Sequence, residues 1–163
     1  MNPQDYSART AYRPPAPWYR RLNRIGVPLT SLGLAPRDAV TLQVQGRRSG
    51  KARRVPILRT SYRGKDHLVA LAGQAQWVKN VRAAHGQAVI RRRGSRQVHL
   101  EELAVDDRAA IIAEYLRAGA HRSGAEASAK QARYYFGLQP DPTLEDIRAI
   151  ADNYPVFRIT YLR

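Results

Sequence analysis

The chain has 163 residues, with 28 Lys plus Arg against 13 Asp plus Glu, a formal charge of +15 and a sequence pI near 11.0. That length can bury one core without covalent staples, and the charge points to an anionic ligand, a nucleic acid or an anionic surface as partner. Cysteine is absent, which excludes a disulfide framework, a thiolate metal site and a cysteine nucleophile.

The proline-rich, polar opening "MNPQDYSARTAYRPPA" predicts a flexible N-terminal arm over residues 1–16, followed by a single domain over 17–163. It has no apolar signal-peptide region, and no later run reaches the roughly 20 apolar residues of a membrane span, so a cytoplasmic protein is expected. The basic, aromatic N-terminal stretch is compatible with a peripheral membrane contact. A short helix is predicted around "PWYRRLNRIG", with Pro17 in its first turn.

From 39 to 46, "AVTLQVQG" alternates, with Val40, Leu42 and Val44 on one face and Thr41, Gln43 and Gln45 on a face turned to water. A basic stretch bounded by glycines follows, then a second strand, "RRVPILRTSY", a turn, "RGKD", and a third strand, "HLVALAG". Pro56 cannot donate to a ladder, so the second strand is expected at an edge or a bulge. "AQWVKNVRAAHG" switches to the helical period and ends on glycine. "QAVIRRR" and "QVHLEELAV" form a hairpin.

"DDRAAIIAEYLRAG" predicts an amphipathic helix with a stripe of Ile111, Ile112, Tyr115 and Leu116, closed by Gly119. The alanine-rich "SGAEASAKQARYYFGL" predicts another helix. In "PDPTLEDIRAIADN", the spacing from Thr143 to Asp146 is that of a capping box. "YPVFRITYL" is the last strand. About six hairpin-linked strands with helices beside them predict a small antiparallel barrel, an α+β fold with a mainly β core and helices packed outside.

The chemistry concentrates in two places. In "GRRSGKARR" (46–54), Gly46 and Gly50 allow positive φ and close backbone approach, while Arg47, Arg48, Ser49, Lys51, Arg53 and Arg54 offer cationic and hydroxyl donors to an anion. The same stretch also fits a solvated hairpin turn, and it is not a Walker A loop. In "LAGQAQWVKNV", Trp77, Asn80, Val81 and Ala84 share a helix face, so the Asn80 amide needs partners, either a ligand edge or neighbouring backbone. Gly73 and Gln74 stand at the strand-to-helix junction, where orphan N–H groups are expected. His67, His85, His99 and His121 lack metal-site spacing, so no metal is expected. No serine elbow or paired-carboxylate site is present either. A nucleic-acid-binding barrel would show more aromatics among its cations, so no nucleic-acid partner is expected.

The succession "VTLQVQGRRSGKARRVPI", "GKDHLVALAGQAQWVKNVRAA" and "YPVFRIT" resembles the deazaflavin-dependent nitroreductase family. The resemblance covers roughly residues 38 to 105 and, more weakly, the last strand. It implies a split β-barrel that binds coenzyme F-420, the 8-hydroxy-5-deazaflavin. The implied activity is an oxidoreductase that passes hydride between that cofactor and a small organic acceptor of nitro, quinone or enone type. Arg47, Arg48 and Ser49 then match the loop holding the phosphate and oligoglutamate tail, with Lys51 beside it. Arg53, Arg54, Val55, Pro56, Ile57 and Leu58 match the strand under the cofactor. Ala72, Gly73 and Gln74 match the segment that meets the ring, and Gln76, Trp77 and Asn80 the helix start that flanks it. The segment 106–151 departs from the family's tyrosine-rich substrate wall, which leaves Tyr134 and Tyr135 as the candidates for a catalytic phenol. An FMN enzyme or a non-catalytic deazaflavin-binding protein on the same barrel is the alternative, and split barrels often form homodimers.

Overall fold

The strand β1 (Ala39–Gln45) and the long strand β2 (Ala52–Tyr62) form an antiparallel hairpin in which Val40 faces Ile57 and Val44 faces Arg53. In this computed structural model, residues 26–29, 31–32 and 36–163 are described, so the expected arm at 1–16 and nearly all of the helix expected at 17–26 lie outside the described residues. β3 (Lys65–Val69), β4 (Gln87–Arg91), β5 (Ser95–Glu102) and β6 (Val156–Tyr161) complete a closed barrel in the order β1-β2-β3-β6-β5-β4. All the pairings are antiparallel, as the hairpin-rich sequence predicts.

Two apolar clusters hold this sheet. The first fills the barrel with Val40, Leu42, Val44, Leu68, Ile90, Val98, Leu100, Phe157 and Ile159, and Val78 and Val81 of helix α1 (Gln76–Ala83) join it. The second joins Val69 and Val156 to α2 (Val105–Ser123), to α4 (Leu144–Arg148) and to a π-helical turn, Ala132–Phe136, that follows α3 (Ala125–Gln131). The expected stripe of Ile111, Ile112, Tyr115 and Leu116 is buried in this second cluster. Adjacent residues Val156 and Phe157 are therefore both buried, because one face of β6 meets the helices and the other meets the barrel interior. Thr143 and Asp146 form the expected capping box at the start of α4.

Three details differ from the sequence-based expectation. Thr41 is fully buried instead of facing water: its hydroxyl accepts from Ser31 at 3.1 Å and donates to the Val27 carbonyl at 3.2 Å, so Val27 and Ser31 cover that part of β1. The third strand stops at Val69, because the Leu71 amide bonds the Val69 carbonyl and the Gly73 amide bonds Ala70, turning the chain out of the sheet. Helix α2 runs through Gly119 and ends at Gly124, which has a φ of +87°. Gly119 instead provides close approach, since a Cβ there would meet Ser128 Oγ at 3.4 Å.

The ladder between β1 and β2 carries the feature that places the site. The Arg59 amide donates to the Asp38 carbonyl at 2.7 Å, so odd-numbered residues of β2 direct their backbone polar groups to β1 and even-numbered ones direct theirs away. β3 pairs only with residues Arg59 to Tyr62. The outer edge of β2 from 52 to 58 thus has no strand partner among the described residues, and Pro56, lacking an N–H, stands on that edge as expected.

Helix α1 is followed by His85 at φ +51° and Gly86 at φ +79°, where the Gly86 amide bonds the Val81 carbonyl and the Gly86 carbonyl accepts from Leu100. A Cβ at Gly86 would lie 2.5 Å from the Leu100 carbonyl oxygen. Gly86→Ala is expected to cost about 3 kcal/mol through the strained φ and this clash, lowering the urea midpoint with an unchanged m-value. A midpoint equal to wild type would contradict the assignment.

Candidate functional site

A cavity of about 720 Å³ opens beside the unpaired edge of β2. One wall is β2 itself, from Arg53 to Leu58, and the opposite wall is the segment Leu71, Ala72, Ala75, Gln76, Trp77 and Asn80. The early exit of the chain from β3 makes this slot, since continued pairing of β3 with β2 would have filled it. Its size falls in the range of small-molecule and cofactor sites.

One end of the slot is cationic. The β1–β2 loop closes on itself, the Gly46 amide bonding the Lys51 carbonyl at 2.9 Å and the Gly50 amide bonding the Gly46 carbonyl at 2.8 Å. Gly50 has a φ of +66°, and a Cβ at Gly46 would come within 3.1 Å of the Lys51 carbonyl oxygen, so both glycines are required by the turn. Arg47, Arg48, Ser49, Arg53 and Arg54 line the cavity from this loop and the start of β2.

These cations are not equivalent. The Arg47 guanidinium donates to Asn80 Oδ1 at 2.8 Å and to Gln76 Oε1 at 3.0 Å, and its backbone N–H also reaches Asn80 Oδ1 at 3.3 Å. Arg54 donates to Gln43 at 2.8 Å, and Arg53 makes a long contact with Ser49 Oγ at 3.4 Å. Arg48 and the Lys51 ammonium make no hydrogen bond or ion pair among the described residues. Fully exposed to water and uncompensated, they are the charges most available to an anion.

The other end is apolar and aromatic. Val69 and Leu71 face Tyr115 from α2, Gln131 from α3 and Tyr135 from the π-helical turn. Tyr135 is held by its carbonyl, which accepts from the Tyr154 hydroxyl, and its ring meets Tyr134 edge to face with centroids 4.9 Å apart. Trp77 is anchored from below by Phe157, at 5.5 Å between centroids. The first-turn amides of α1 have no intrahelical partner, and Ala75, Gln76 and Trp77 bring that turn to the cavity wall.

A second layer steadies the wall. Arg82 on α1 donates to both Glu102 oxygens, at 2.8 and 2.7 Å, and to Gln74 Oε1. Arg108, a buried residue in the first turn of α2, reaches Glu102 at 3.2 Å and the Leu103 carbonyl at 3.0 Å. Hydrogen bonds from Arg82 hold the Glu102 carboxyl below its ordinary value of 4.5, against the opposing effect of partial burial.

Most of the residues singled out in the sequence converge on the cavity: Arg47, Arg48, Ser49, Arg53 to Leu58, Ala72, Gln76, Trp77, Asn80 and Tyr135 line it. Lys51, Gly73, Gln74 and Tyr134 do not. The Gly73 amide, expected to be an orphan, is used by the Ala70 carbonyl, and the Gln74 side chain turns to Arg82. Asn80, expected to seek a ligand or backbone, finds a side chain of the β1–β2 loop. Sequence reasoning missed Val44, Val69, Leu71, Ala75, Tyr115 and Gln131 as lining residues. Tyr115 alone gave a signal, as the one polar-tipped member of an otherwise aliphatic helix stripe. His67 is packed in the sheet, where burial pushes its pKa below the usual histidine value. Among the described residues, no group of three or more His, Asp or Glu side chains is placed to hold a metal, and no helix is long and apolar enough to cross a membrane.

The profile of the F420H(2)-dependent quinone reductase family matches residues 11–126. No significant match was found among curated proteins. Solved structures similar to the chain include an F420-H2 dependent reductase, with 22% identity and a TM-score of 0.42 over 76% of this chain and 95% of that one. They also include a chain described as a domain-swapped dimer, with 21% identity and a TM-score of 0.42 over 88% and 97%. A FAD-binding protein from Mesorhizobium loti shares 14% identity with a TM-score of 0.42 over 80% and 86%.

The wall network has a measurable pH signature. Because Glu102 is more acidic folded than unfolded, its contribution is complete above about pH 4.5 and is lost as pH falls through the lower folded value. The stability gap between wild type and Glu102→Gln, measured by urea unfolding from neutral to acid pH, is expected to shrink over that acid window. A gap constant with pH would show that Glu102 acts without its charge.

Proposed function

We propose, on the premise that the chain belongs to the F420H(2)-dependent quinone reductase family, that the slot beside β2 holds coenzyme F-420 and that a small quinone-type acceptor enters over the exposed ring face. The chain is an oxidoreductase dependent on this cofactor. The observation that carries the placement is the slot itself: one wall of unpaired strand edge, the other of Leu71 to Trp77, cations at one end and tyrosines at the other.

The donor set fits the group. A flat heterocycle with amide and carbonyl edges matches a strand edge whose even-numbered N–H and C=O groups have no strand partner among the described residues, interrupted at Pro56. The phosphate and oligoglutamate tail match Arg48 and Lys51, with Ser49, Arg53 and the loop amides around them. Charge-assisted bonds of this type contribute roughly 1.5 to 3 kcal/mol each before entropy and screening are subtracted, so a few suffice for micromolar binding. Lys51 stands outside the cavity on the loop's exposed side, which suits a tail that leaves the slot.

When bound and reduced, the cofactor would supply a hydride from its ring carbon. The chain contributes position and electrostatics. Val55 and Ile57 press one side of the slot from the barrel core, and Trp77, fixed by Phe157, blocks sideways displacement. Tyr115 and Tyr135 bound an apolar end in which a planar acceptor sheds water, and the Tyr135 hydroxyl is the group we place nearest to that acceptor as proton source. A quinone that took up that hydride and one proton would leave as its hydroquinone.

Titration of the purified protein with oxidised F-420, FMN and short nucleic acids at low and moderate salt tests the cofactor assignment. F-420 is expected to bind at least tenfold more tightly than FMN. Tighter FMN binding, or no F-420 binding, overturns the assignment. Replacing Arg48 and Lys51 together by Ala is expected to weaken F-420 roughly tenfold or more while changing a tail-less deazaflavin less than about threefold, because only the tail meets these cations. Equal losses for both ligands would remove the tail from this loop.

A further inference from the structure

The arginine-rich loop contains one cation that the protein has already claimed. Arg47 donates three hydrogen bonds to α1, two of them to Asn80 Oδ1 and one to Gln76 Oε1. Gln76 and Asn80 lie one helical turn apart, so both acceptors face the loop from the same side of α1. Asn80 is buried, with only 6% of its surface exposed, whereas Arg48, Ser49 and Lys51 next to Arg47 are exposed. The loop therefore meets the rest of the molecule at a buried amide on one side and water on the other.

We propose that Asn80, assisted by Gln76, is a positioning residue: it pins Arg47 to α1 and so sets the shape in which the β1–β2 loop offers Arg48 and Lys51 to an anion. Arg47 is then a tether of the loop, and its charge does not serve the tail directly. Three features support this division of labour. The backbone N–H of Arg47 is fixed by the same oxygen as its guanidinium, so Asn80 constrains main chain and side chain together. The loop closes just beyond this point through the Gly46 to Lys51 and Gly50 to Gly46 hydrogen bonds, which depend on where Arg47 is held. A second anchor at Gln76 fixes the guanidinium plane, which a single contact would leave free to turn. The arrangement also couples the two ends of the ligand, because α1 carries Trp77 at the ring while its next turn holds the loop at the anion.

This inference rests on the F-420 reading of the slot, and a double-mutant cycle with two readouts separates the two. Arg47→Ala, Asn80→Leu, the double variant and Asn80→Asp are compared with wild type. The first readout, without ligand, is hydrogen exchange at the Gly46 and Gly50 amides. Each single variant is expected to speed this exchange roughly tenfold, the double variant no further, and Asn80→Asp to restore the slow rate because a carboxylate accepts the same donors. The second readout is F-420 affinity, expected to fall roughly tenfold in either single variant and not to fall further in the double. Unchanged exchange in Asn80→Leu, additive losses in the double variant, or an Asn80→Asp exchange rate as fast as that of Asn80→Leu would overturn the proposal. If wild type binds no F-420, the cofactor reading fails while the exchange cycle still decides whether Asn80 holds the loop.

Discussion

The structure depends on a strand that is longer than its partners. β2 runs from Ala52 to Tyr62, but β3 accompanies it only from Arg59 onward. A barrel normally satisfies every strand edge, so an outer edge at 52 to 58 with no strand partner among the described residues is a constraint the rest of the fold must answer. Pro56 reduces the demand by removing one donor, and the remaining groups look into a cavity instead of onto another strand. The split in the barrel and the ligand slot are the same feature.

What bounds the slot comes from parts of the chain far apart in sequence. Turning the chain out of β3 at Val69 brings Leu71 to Trp77 across from β2, and α1 then returns into the barrel mouth through Val78 and Val81. The second apolar cluster settles α2, α4 and the π-helical turn against the outer sheet, which brings Tyr115 and Tyr135, with Gln131 just before the turn, to the apolar end. One cluster thus shapes the wall beside β2 and the other the apolar end of the cavity.

Charge does different work in different places. The basic residues of the chain are spread widely, and several are paired within the fold: Arg82 and Arg108 converge on Glu102, Arg59 meets Asp66 at 3.1 Å, and Arg122 meets Asp38 at 2.9 Å. In the β1–β2 loop the distribution is asymmetric, with the Arg47 donors engaged by amide acceptors and Arg48 and Lys51 left to solvent. The overall charge of +15 does not report this local difference.

The sequence by itself determined the barrel strands, the amphipathic stripe of α2, the capping box at Thr143 and the basic, glycine-bounded loop. Each of these follows from local rules: the period of two along a strand, the period of 3.6 along a helix, and the φ freedom of glycine. It also marked Pro56 as a residue of an edge or a bulge, because the missing N–H is a property of that residue alone. Tertiary structure decided the rest. Thr41 sits in an alternating strand whose second face looked wet, and Val27 and Ser31 cover it from a distant part of the sequence. Asn80 could have served a ligand or the backbone, and its partner Arg47 lies 33 positions away. Tyr115 reads as core in its helix stripe, yet it also faces the slot, since a buried phenol can bound a cavity as well as fill one. Long-range pairing chooses which polar group meets which, and no local pattern encodes that choice.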